Sequence, residues 1–282
     1  MARHSYRLVN VFTLPDGGLT GNPLCVFEDA TAFSDELMQA LALQFNLSET
    51  TFILPPEGRA AARVRIFTPR YEMAFAGHPT LGTAHVCRAL GKGGNELELQ
   101  LPAGTIAVRA DGHRWTLTAL KPSWREVDAS REELARALGL EVRDIGERPL
   151  WVKAGKEQLV VPLTSTEAVR RVVPVSGLFA GIRSEDGHCM AYCFAFDGAG
   201  QALARFFFPQ GPAMLEDPAT GSATANFGGW CIAAGHPLPV DLTIAQGAQT
   251  GRPSHLYLRV SADGLIEVGG DVVEVGRGSV SL

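Results

Sequence analysis

The chain carries one sequence motif twice, about half its length apart, and this internal repeat constrains the fold more than any other feature. The first copy comprises residues 65–69 (RIFTP) and 77–84 (GHPTLGTA). The second copy comprises residues 205–209 (RFFFP) and 216–223 (EDPATGSA). The repeat predicts two similar lobes, in each of which a strand ends and a helix begins at the motif.

The end of each copy predicts the first turn of a helix. Pro79 and Pro218 suit the first helical position, so His78 and Asp217 would occupy the N-cap, and each taken alone is interpreted as a helix cap. If the lobes face each other, both helix N-termini point into one cleft, where free N–H groups and the helix dipole favour an anion. His78 and Asp217 would then form an acid/base pair across that cleft.

Short β-branched and aromatic runs, with 31 glycines in 282 residues, predict many strands and turns. Fewer helices are predicted, at residues 34–45, 79–90, 130–138 and 218–234. The last of these carries no charged side chain and is expected to be surrounded by protein. The predicted fold class is α/β (α+β), with two pseudo-twofold-related lobes, each a curved mixed sheet around a central helix. The lobes are residues 1–122 and 123–282, and the last strand, about residues 272–282, can pair back with the first lobe.

The charge of the chain argues against several classes of partner. The net charge is −5 and the pI is near 5.8. Lysine and arginine are scattered, which gives no electrostatic footprint for nucleic acid or an anionic membrane. No apolar run approaches 18 residues, and no signal-peptide pattern opens the sequence. A small-molecule partner and a cytoplasmic location are therefore expected.

Cysteine and histidine spacing predicts neither disulfides nor a metal site. Each of the five cysteines lies in or beside an apolar stretch, and no Cys-x-x-Cys occurs, which indicates reduced core thiols. The seven histidines show no metal-ligand spacing. Since a Gly-x-Gly-x-x-Gly fingerprint and a Walker-type loop are also lacking, no metal and no organic cofactor are expected.

One carboxylate stands outside the repeat. Glu49 lies in residues 48–52 (SETTF), between the first predicted helix and a strand, and taken alone it is interpreted as a solvated surface side chain. If the separation between the two copies of the repeat is the same along the chain, the counterpart of Glu49 is Cys189. The carboxylate is then not reproduced in the second half. If Glu49 points into the cleft, it is a single base on one side of it.

Several segments together resemble the PhzF-like (phenazine-biosynthesis isomerase-like) family. They are residues 21–23 (GNP), 48–52 (SETTF), 67–69 (FTP), 76–82 (AGHPTLG) and 216–223 (EDPATGSA). Their order and spacing fit that family over nearly the whole chain. The resemblance implies the diaminopimelate epimerase fold, with the active site between two similar lobes. It also implies a cofactor-independent isomerase, commonly a homodimer.

The resemblance also implies roles for individual residues. Glu49 matches the catalytic carboxylate, which would move a proton between carbons of a small carboxylated substrate. His78 and Asp217 match the polar residues that flank it. Ser222 matches a hydroxyl near the substrate at the start of a helix.

Two glycines complete the predicted site, and two alternative functions remain open. Gly77 and Gly221 would let backbone N–H groups approach the substrate carboxylate. Epimerases and racemases of the wider fold use two cysteines at these helix starts, and this chain has none there. The alternatives are an epimerase with Glu49 and Asp217 as opposed bases, and a catalytically silent protein of the same fold that binds a ligand or another protein.

Overall fold

The structure, a computed structural model, describes residues 2–282, which divide into two units. Unit 1 comprises residues 2–118 and Gly269–Leu282, and unit 2 comprises Ala119–Val268. Both units combine helices with strands paired in parallel and antiparallel directions. The predicted α+β class is therefore confirmed.

Unit 1 opens with a strand and ends its first segment with a three-stranded meander. In chain order its elements are β1 (Arg3–Thr13), β2 (Asn22–Phe27), α1 (Asp35–Phe45), β3 (Glu49–Leu54), β4 (Ala62–Phe67), β5 (Glu72–Met73), α2 (Gly77–Ala89), β6 (Glu96–Leu101), β7 (Gly104–Asp111) and β8 (Arg114–Thr118).

Unit 2 continues with β9 (Ser123–Glu126), α3 (Arg131–Leu138), β10 (Leu150–Lys153), β11 (Glu157–Pro162), α4 (Thr166–Arg171), α5 (Ser176–Phe179), β12 (Ala191–Phe196), β13 (Gln201–Gln210), β14 (Ala213–Asp217), α6 (Gly221–Ala233), β15 (Val240–Gln246), β16 (Ser254–Val260) and β17 (Ile266–Ser281). Short 3₁₀ helices lie at Val142–Asp144 and Ala248–Thr250. Strand β17 continues into unit 1, where it pairs antiparallel with β1. None of the helices among residues 2–282 has the length and apolar character that a bilayer crossing requires.

The two units repeat one strand order. In unit 1, β2 and β3 are parallel, and β3, β4 and β5 are successively antiparallel. In unit 2, β11 and β12 are parallel, and β12, β13 and β14 are successively antiparallel. A helix of 13 residues follows in each unit, α2 in the first and α6 in the second. The internal repeat seen in the sequence is thus present in the fold.

Helices α2 and α6 are largely buried in their own units. The sixth residue of α2 is Gly82, which lets the helix approach the sheet. A Cβ atom there would lie 2.6 Å from Leu24 Cδ2 and 2.9 Å from Val11 Cγ2. The sixth residue of α6 is Asn226, whose side chain is instead hydrogen-bonded to the backbone of unit 2. The same helix position is therefore apolar in one unit and polar in the other.

Helix α2 does not begin where the sequence predicted. It begins at Gly77 with Ala76 as the N-cap, so His78 and Pro79 are its second and third residues. The N-cap prediction for His78 is wrong. The first N–H groups of a helix have no intrahelical partner, so proline is tolerated throughout the first turn and does not mark one position.

Helix α6 shows a larger difference. It begins at Gly221 with Thr220 as the N-cap, while Asp217 is the last residue of β14 and Pro218 precedes the helix. The N-cap prediction for Asp217 is therefore also wrong. The residue before a proline is biased towards extended backbone, and Asp217 follows that bias as the end of a strand.

The five cysteines are free and buried, as predicted: Cys25, Cys87, Cys189, Cys193 and Cys231. Burial raises the pKa of Cys87, Cys193 and Cys231 to about 12. Because the thiolate is the reactive form, these thiols are core side chains rather than nucleophiles.

Candidate active site

Glu49 and His78 lie together in unit 1. Glu49 is the first residue of β3, and His78 is the second residue of α2. The Nδ1 atom of His78 lies 2.8 Å from Glu49 Oε2, and its Nε2 atom lies 3.1 Å from the backbone oxygen of Asn22. The His78 side chain is 6% exposed and the Glu49 side chain 17% exposed. The carboxylate is therefore the more open end of a mostly buried pair.

These contacts determine how many protons the pair holds. A backbone carbonyl only accepts hydrogen bonds, so His78 Nε2 carries a proton and donates it to Asn22. One further proton lies between Nδ1 and Oε2. On the nitrogen it gives an imidazolium and a carboxylate, and on the oxygen a neutral imidazole and a carboxylic acid. Glu49 is thus paired with a group with which it can exchange a proton.

Local structure holds this pair in place. Asn46, in the left-handed conformation with φ of 51°, ends α1 and lets the chain turn directly into β3. On β3, the buried Thr51 hydroxyl lies 2.8 Å from the hydroxyl of Thr83 on α2. This contact ties the start of β3 to the first turns of α2, where Glu49 and His78 stand.

The central helices both begin without a side-chain cap. Neither Ala76 nor Thr220 makes a capping hydrogen bond with its side chain. Gly77 and Gly221 are the first residues of the two helices. An uncapped helix start presents N–H donors and the positive end of the helix dipole, which favours an anionic group.

Asp217 lies in unit 2, one turn before α6. Its Oδ2 atom accepts a hydrogen bond from the Thr220 hydroxyl at 2.5 Å. The buried amide of Gln246 donates to the backbone oxygen of Asp217 at 2.9 Å and to the Thr220 hydroxyl at 3.0 Å. Since that hydroxyl accepts from Gln246, its own proton is directed to the carboxylate. Asp217 is therefore an oriented carboxylate and not a helix cap.

Ser222 is the second residue of α6 and the only partly exposed member of a polar chain. Its Oγ atom lies 3.1 Å from Nε2 of Gln158, whose Oε1 atom lies 2.8 Å from Nδ2 of Asn226. Gln158 and Asn226 are buried. The Ser222 hydroxyl is thus positioned by the side-chain amide of Gln158, which is itself held by the side-chain amide of Asn226.

Ion pairs in the two hairpins show which residues of the repeat are equivalent. Arg65 binds Glu72 through both carboxylate oxygens, and Arg205 binds Glu216 in the same way. The paired residues are 7 apart in unit 1 and 11 apart in unit 2. The second hairpin is therefore the longer one.

This difference changes the counterpart of His78. Helices α2 and α6 have equal length, and His78 and Ser222 both occupy the second position. The structure thus makes Ser222 the counterpart of His78, in place of Asp217. Arg65 and Arg205 are 140 residues apart, whereas Glu72 and Glu216, like the helix starts Gly77 and Gly221, are 144 apart. The sequence match of Pro79 with Pro218, 139 residues apart, therefore paired residues that are not equivalent in the fold.

The counterpart of Glu49 also differs from the expected Cys189. Thr50 lies opposite Phe67 in unit 1, and Ala191 lies opposite Phe207 in unit 2. The residue before each is Glu49 in one unit and Met190 in the other. The carboxylate is unique to unit 1, as predicted, although the counterpart is shifted by one residue.

Sequence reasoning missed the side chains that orient the site. Thr220 lies within the second motif, but no role was predicted for it, and its contact with Asp217 depends on the local turn before α6. Gln246, Gln158 and Asn226 lie outside the motifs, and their roles depend on contacts between residues far apart in the chain. Among residues 2–282, no group of three or more His, Cys, Asp or Glu side chains is arranged to hold a metal ion.

Comparison with known proteins identifies the family. The sequence model for the phenazine biosynthesis-like proteins matches residues 9–278. The chain belongs to this family. One relative, an uncharacterized isomerase of Pasteurella multocida, is 38% identical over 279 residues, which cover 98% of this chain and 94% of that protein.

A second relative has a more specific name. The trans-2,3-dihydro-3-hydroxyanthranilate isomerase of Pseudomonas chlororaphis is 34% identical over 291 residues, covering 99% of this chain and 100% of that one. The crystal structure of a Bacillus anthracis PhzF-family protein has a TM-score of 0.87 and 24% identity, with 100% of both chains covered. The family and fold implied by the motifs are confirmed, and the chain is an isomerase of the phenazine biosynthesis-like family.

Proposed function

We propose that this isomerase moves a proton between two carbons of a small carboxylated substrate through Glu49, without a metal or an organic cofactor. The observation that supports this most is the 2.8 Å contact between His78 Nδ1 and Glu49 Oε2, with Nε2 of the same ring held by the Asn22 carbonyl. The contact gives the carboxylate a proton-sharing partner. General acid/base catalysis requires such a group within hydrogen-bonding reach of the substrate.

The proposed reaction starts with Glu49 ionised and His78 doubly protonated. The carboxylate removes a proton from a substrate carbon, so that a C–H bond breaks and an O–H bond forms on Glu49. The electron pair left behind spreads over the unsaturated part of the substrate. Glu49 then returns the proton to another carbon on the same face, and the electron pair forms the new C–H bond. The enzyme ends as it began, and no co-reactant is consumed.

The uncapped helix starts are assigned to the anionic charge of the substrate. N–H groups at Gly77 stabilise charge that develops near Glu49, and N–H groups at Gly221 with the Ser222 hydroxyl bind the carboxylate. Asp217, oriented by Thr220, accepts a hydrogen bond from an amino or hydroxyl group of the substrate.

The proposed substrate class is a cyclic or unsaturated amino or hydroxy acid. An unsaturated ring next to a carboxylate spreads the negative charge that proton removal creates, which lowers the barrier to that step. The substrate in the name of the Pseudomonas chlororaphis relative, trans-2,3-dihydro-3-hydroxyanthranilate, belongs to this class. It is therefore the first compound to test.

The experiment follows this compound by NMR in D₂O with the wild-type chain, with Glu49→Gln and with Glu96→Gln. Glu96 is an exposed carboxylate on β6 and serves as the matched control. The expected result is a shifted C–H bond that retains part of the substrate's own hydrogen, because the same group removes and returns it. Turnover should be lost in Glu49→Gln and retained in Glu96→Gln.

Other outcomes would favour the alternative functions. Inversion at one carbon with full deuterium uptake would indicate an epimerase with opposed bases, and Asp217 would then be the second base. Binding without any exchange, across a panel of cyclic and unsaturated amino and hydroxy acids, would indicate a catalytically silent protein. Either result would overturn proton return by Glu49.

A further inference from the structure

Two buried amides stand behind Ser222 and determine the direction of its hydroxyl group. We propose that Gln158 and Asn226 are positioning residues that hold the Ser222 hydroxyl as a hydrogen-bond donor, so that the start of α6 selects a carboxylate over a group that carries its own donors. The inference rests on the proposed function only in that the substrate binds at the start of α6.

The chain of hydrogen bonds begins at a backbone N–H group. The N–H of Ala154 donates to Asn226 Oδ1 at 2.7 Å. A backbone nitrogen can only donate, so the asparagine atom that faces it must be the oxygen. The amide nitrogen of Asn226 then faces the backbone oxygen of Lys156 at 2.9 Å and Gln158 Oε1 at 2.8 Å. Since the lysine carbonyl only accepts, the orientation of the Asn226 amide is fixed from both sides.

The same logic fixes Gln158. Its Oε1 atom accepts from Asn226, so its amide nitrogen is the end that faces Ser222 Oγ at 3.1 Å. An amide nitrogen only donates, and the serine oxygen must therefore accept. The single hydroxyl proton of Ser222 is left to point away from Gln158. Ser222 is the partly exposed end of the chain, whereas the Gln158 and Asn226 side chains are buried, so that proton is available to a ligand.

The fold itself does not require this polar chain. In unit 1 the sixth residue of the central helix is Gly82, and the atoms it faces are the aliphatic carbons of Leu24, Val11 and Val9. The equivalent helix in unit 2 places Asn226 there, with a side chain that is 0% exposed. Buried amides are costly unless every polar atom is bonded, whereas apolar packing has no such requirement. A role beyond packing therefore explains why unit 2 carries them.

The polar groups assigned to the substrate carboxylate at this helix start are all donors, while Asp217 is assigned to a different group of the substrate. The Ser222 hydroxyl joins the N–H groups of the uncapped first turn of α6. A carboxylate has only acceptors and matches this set, while a primary carboxamide brings an NH₂ group that meets a donor. The hydroxyl direction thus becomes a determinant of specificity.

The test uses a stable aromatic probe, 3-hydroxyanthranilate, and its carboxamide, and measures the dissociation constant of each by calorimetry. Ser222→Ala should weaken carboxylate binding by on the order of 10- to 100-fold, the range for a hydrogen bond to a charged group. Gln158→Met, which removes the donor at similar volume, should produce part of that loss. Combined with Ser222→Ala, it should add nothing further, because it acts through the hydroxyl.

A second variant tests the direction of the hydroxyl by reversing it. In Gln158→Glu both side-chain oxygens accept, so Ser222 must donate inward and present its lone pairs to the ligand. Carboxamide binding should then improve, a gain that neither loss of folding nor simple charge repulsion produces. Gln201→Met, at an exposed position of unit 2, is the control and should leave both constants unchanged.

The outcomes separate the two proposals. If wild-type protein prefers the carboxylate but Gln158→Met and Gln158→Glu leave that preference unchanged, the positioning role is overturned and the proposed function stands. The same holds if the effect of Gln158→Met adds in full to that of Ser222→Ala. If wild-type protein binds neither probe, the proposed function is overturned and this inference falls with it.

Discussion

His78 and Glu49 are joined by one hydrogen bond of 2.8 Å, while the opposite nitrogen of the same imidazole is 3.1 Å from the Asn22 carbonyl. The ring is held at both ends, so it cannot turn away from the carboxylate without losing a bond. The Glu49 side chain therefore keeps the same position whether its carboxyl group is protonated or ionised. Such preorganisation is what a general acid/base needs if it is to remove and return the same proton.

Glu49→Gln tests this carboxylate most directly. Glutamine keeps the shape of the side chain and still hydrogen-bonds to His78, but it cannot accept a proton from carbon. A positioned general base contributes about 10²- to 10⁴-fold, so kcat should fall at least that far. The helix-start N–H groups are untouched, and KM should change little. Steady-state kinetics on the substrate, once found, would contradict the assignment if the variant ran at near wild-type rates.

Much of the architecture was predictable from local sequence, because local contacts decide it. Ser34 caps α1 and Ser130 caps α3, as their positions before apolar, acidic first turns indicate. The absence of charge along residues 218–234 correctly predicted a helix surrounded by protein. The short helices α4 and α5 were missed, since six and four residues give too little helical periodicity to recognise.

The candidate site was only partly predictable for a different reason. Its six named residues stand in motifs, but the groups that orient them act over long sequence distances. Gln246 lies 29 residues from Asp217, and Gln158 lies 64 residues from Ser222. The correspondence of His78 to Ser222 was hidden because the sequence match of Pro79 with Pro218 does not account for the four extra residues of the second hairpin. The strand register and the helix bounds were needed to show that Ser222, and not Asp217, corresponds to His78.

The buried ion pair of unit 2 should be a large single contribution to stability. Arg205 binds Glu216 with two nitrogen atoms, and its Nη1 atom donates to the backbone oxygens of Val169, Arg170 and Val172. The Arg205 and Glu216 side chains are 9% and 12% exposed. Arg205→Leu would leave a buried carboxylate without its partner, which costs about 3–5 kcal/mol. Denaturant unfolding measures this loss.

The repeat supplies a matched comparison for that variant. Arg65 makes the equivalent pair with Glu72 and also binds Asp35, but the side chains of Glu72 and Asp35 are 31% and 74% exposed. Solvent-exposed pairs contribute about 0–1 kcal/mol, so Arg65→Leu should cost much less than Arg205→Leu. Equal losses would show that burial does not set the difference. In Arg205→Leu with Glu216→Leu, part of the stability should return.

Close packing at Gly82 predicts the effect of adding one methyl group. A Cβ atom there would meet Leu24 Cδ2 at 2.6 Å, Val11 Cγ2 at 2.9 Å and Val9 Cγ2 at 3.2 Å. Overpacking costs about 1–3 kcal/mol, which should exceed the helix propensity gain of about 1 kcal/mol from glycine to alanine. Gly82→Ala should therefore destabilise unit 1, while Gly94→Ala, in open space, should stay within about 0.5 kcal/mol. A stabilised Gly82→Ala would contradict the packing seen here.

His85 on α2 should make stability depend on mildly acidic pH. Burial, with the nearby charges of Arg88 and His113, lowers the pKa of His85 to about 4 from an ordinary value near 6.5. Its Nδ1 atom is buried without a hydrogen-bond partner, so protonation has nothing to stabilise it there. The unfolded chain gains a proton at this residue as pH falls through about 6.5, and the folded chain does so only near 4. The free energy of unfolding therefore decreases progressively as pH falls between these two values, and this decrease is complete below about pH 4.

The size and the source of this effect can both be measured. A full shift corresponds to about 3 kcal/mol, and the partial exposure of His85 reduces the expected loss to about 1–3 kcal/mol. Denaturant unfolding of wild type and His85→Gln from pH 7.5 to 4 should show a shallower decline in the variant, because the carboxylates that titrate in this range are common to both. NMR of the imidazole carbons should place the folded-state midpoint of His85 near 4. Parallel stability curves, or a midpoint near 6.5, would show that the ring is hydrated in solution and does not destabilise the fold when it gains a proton.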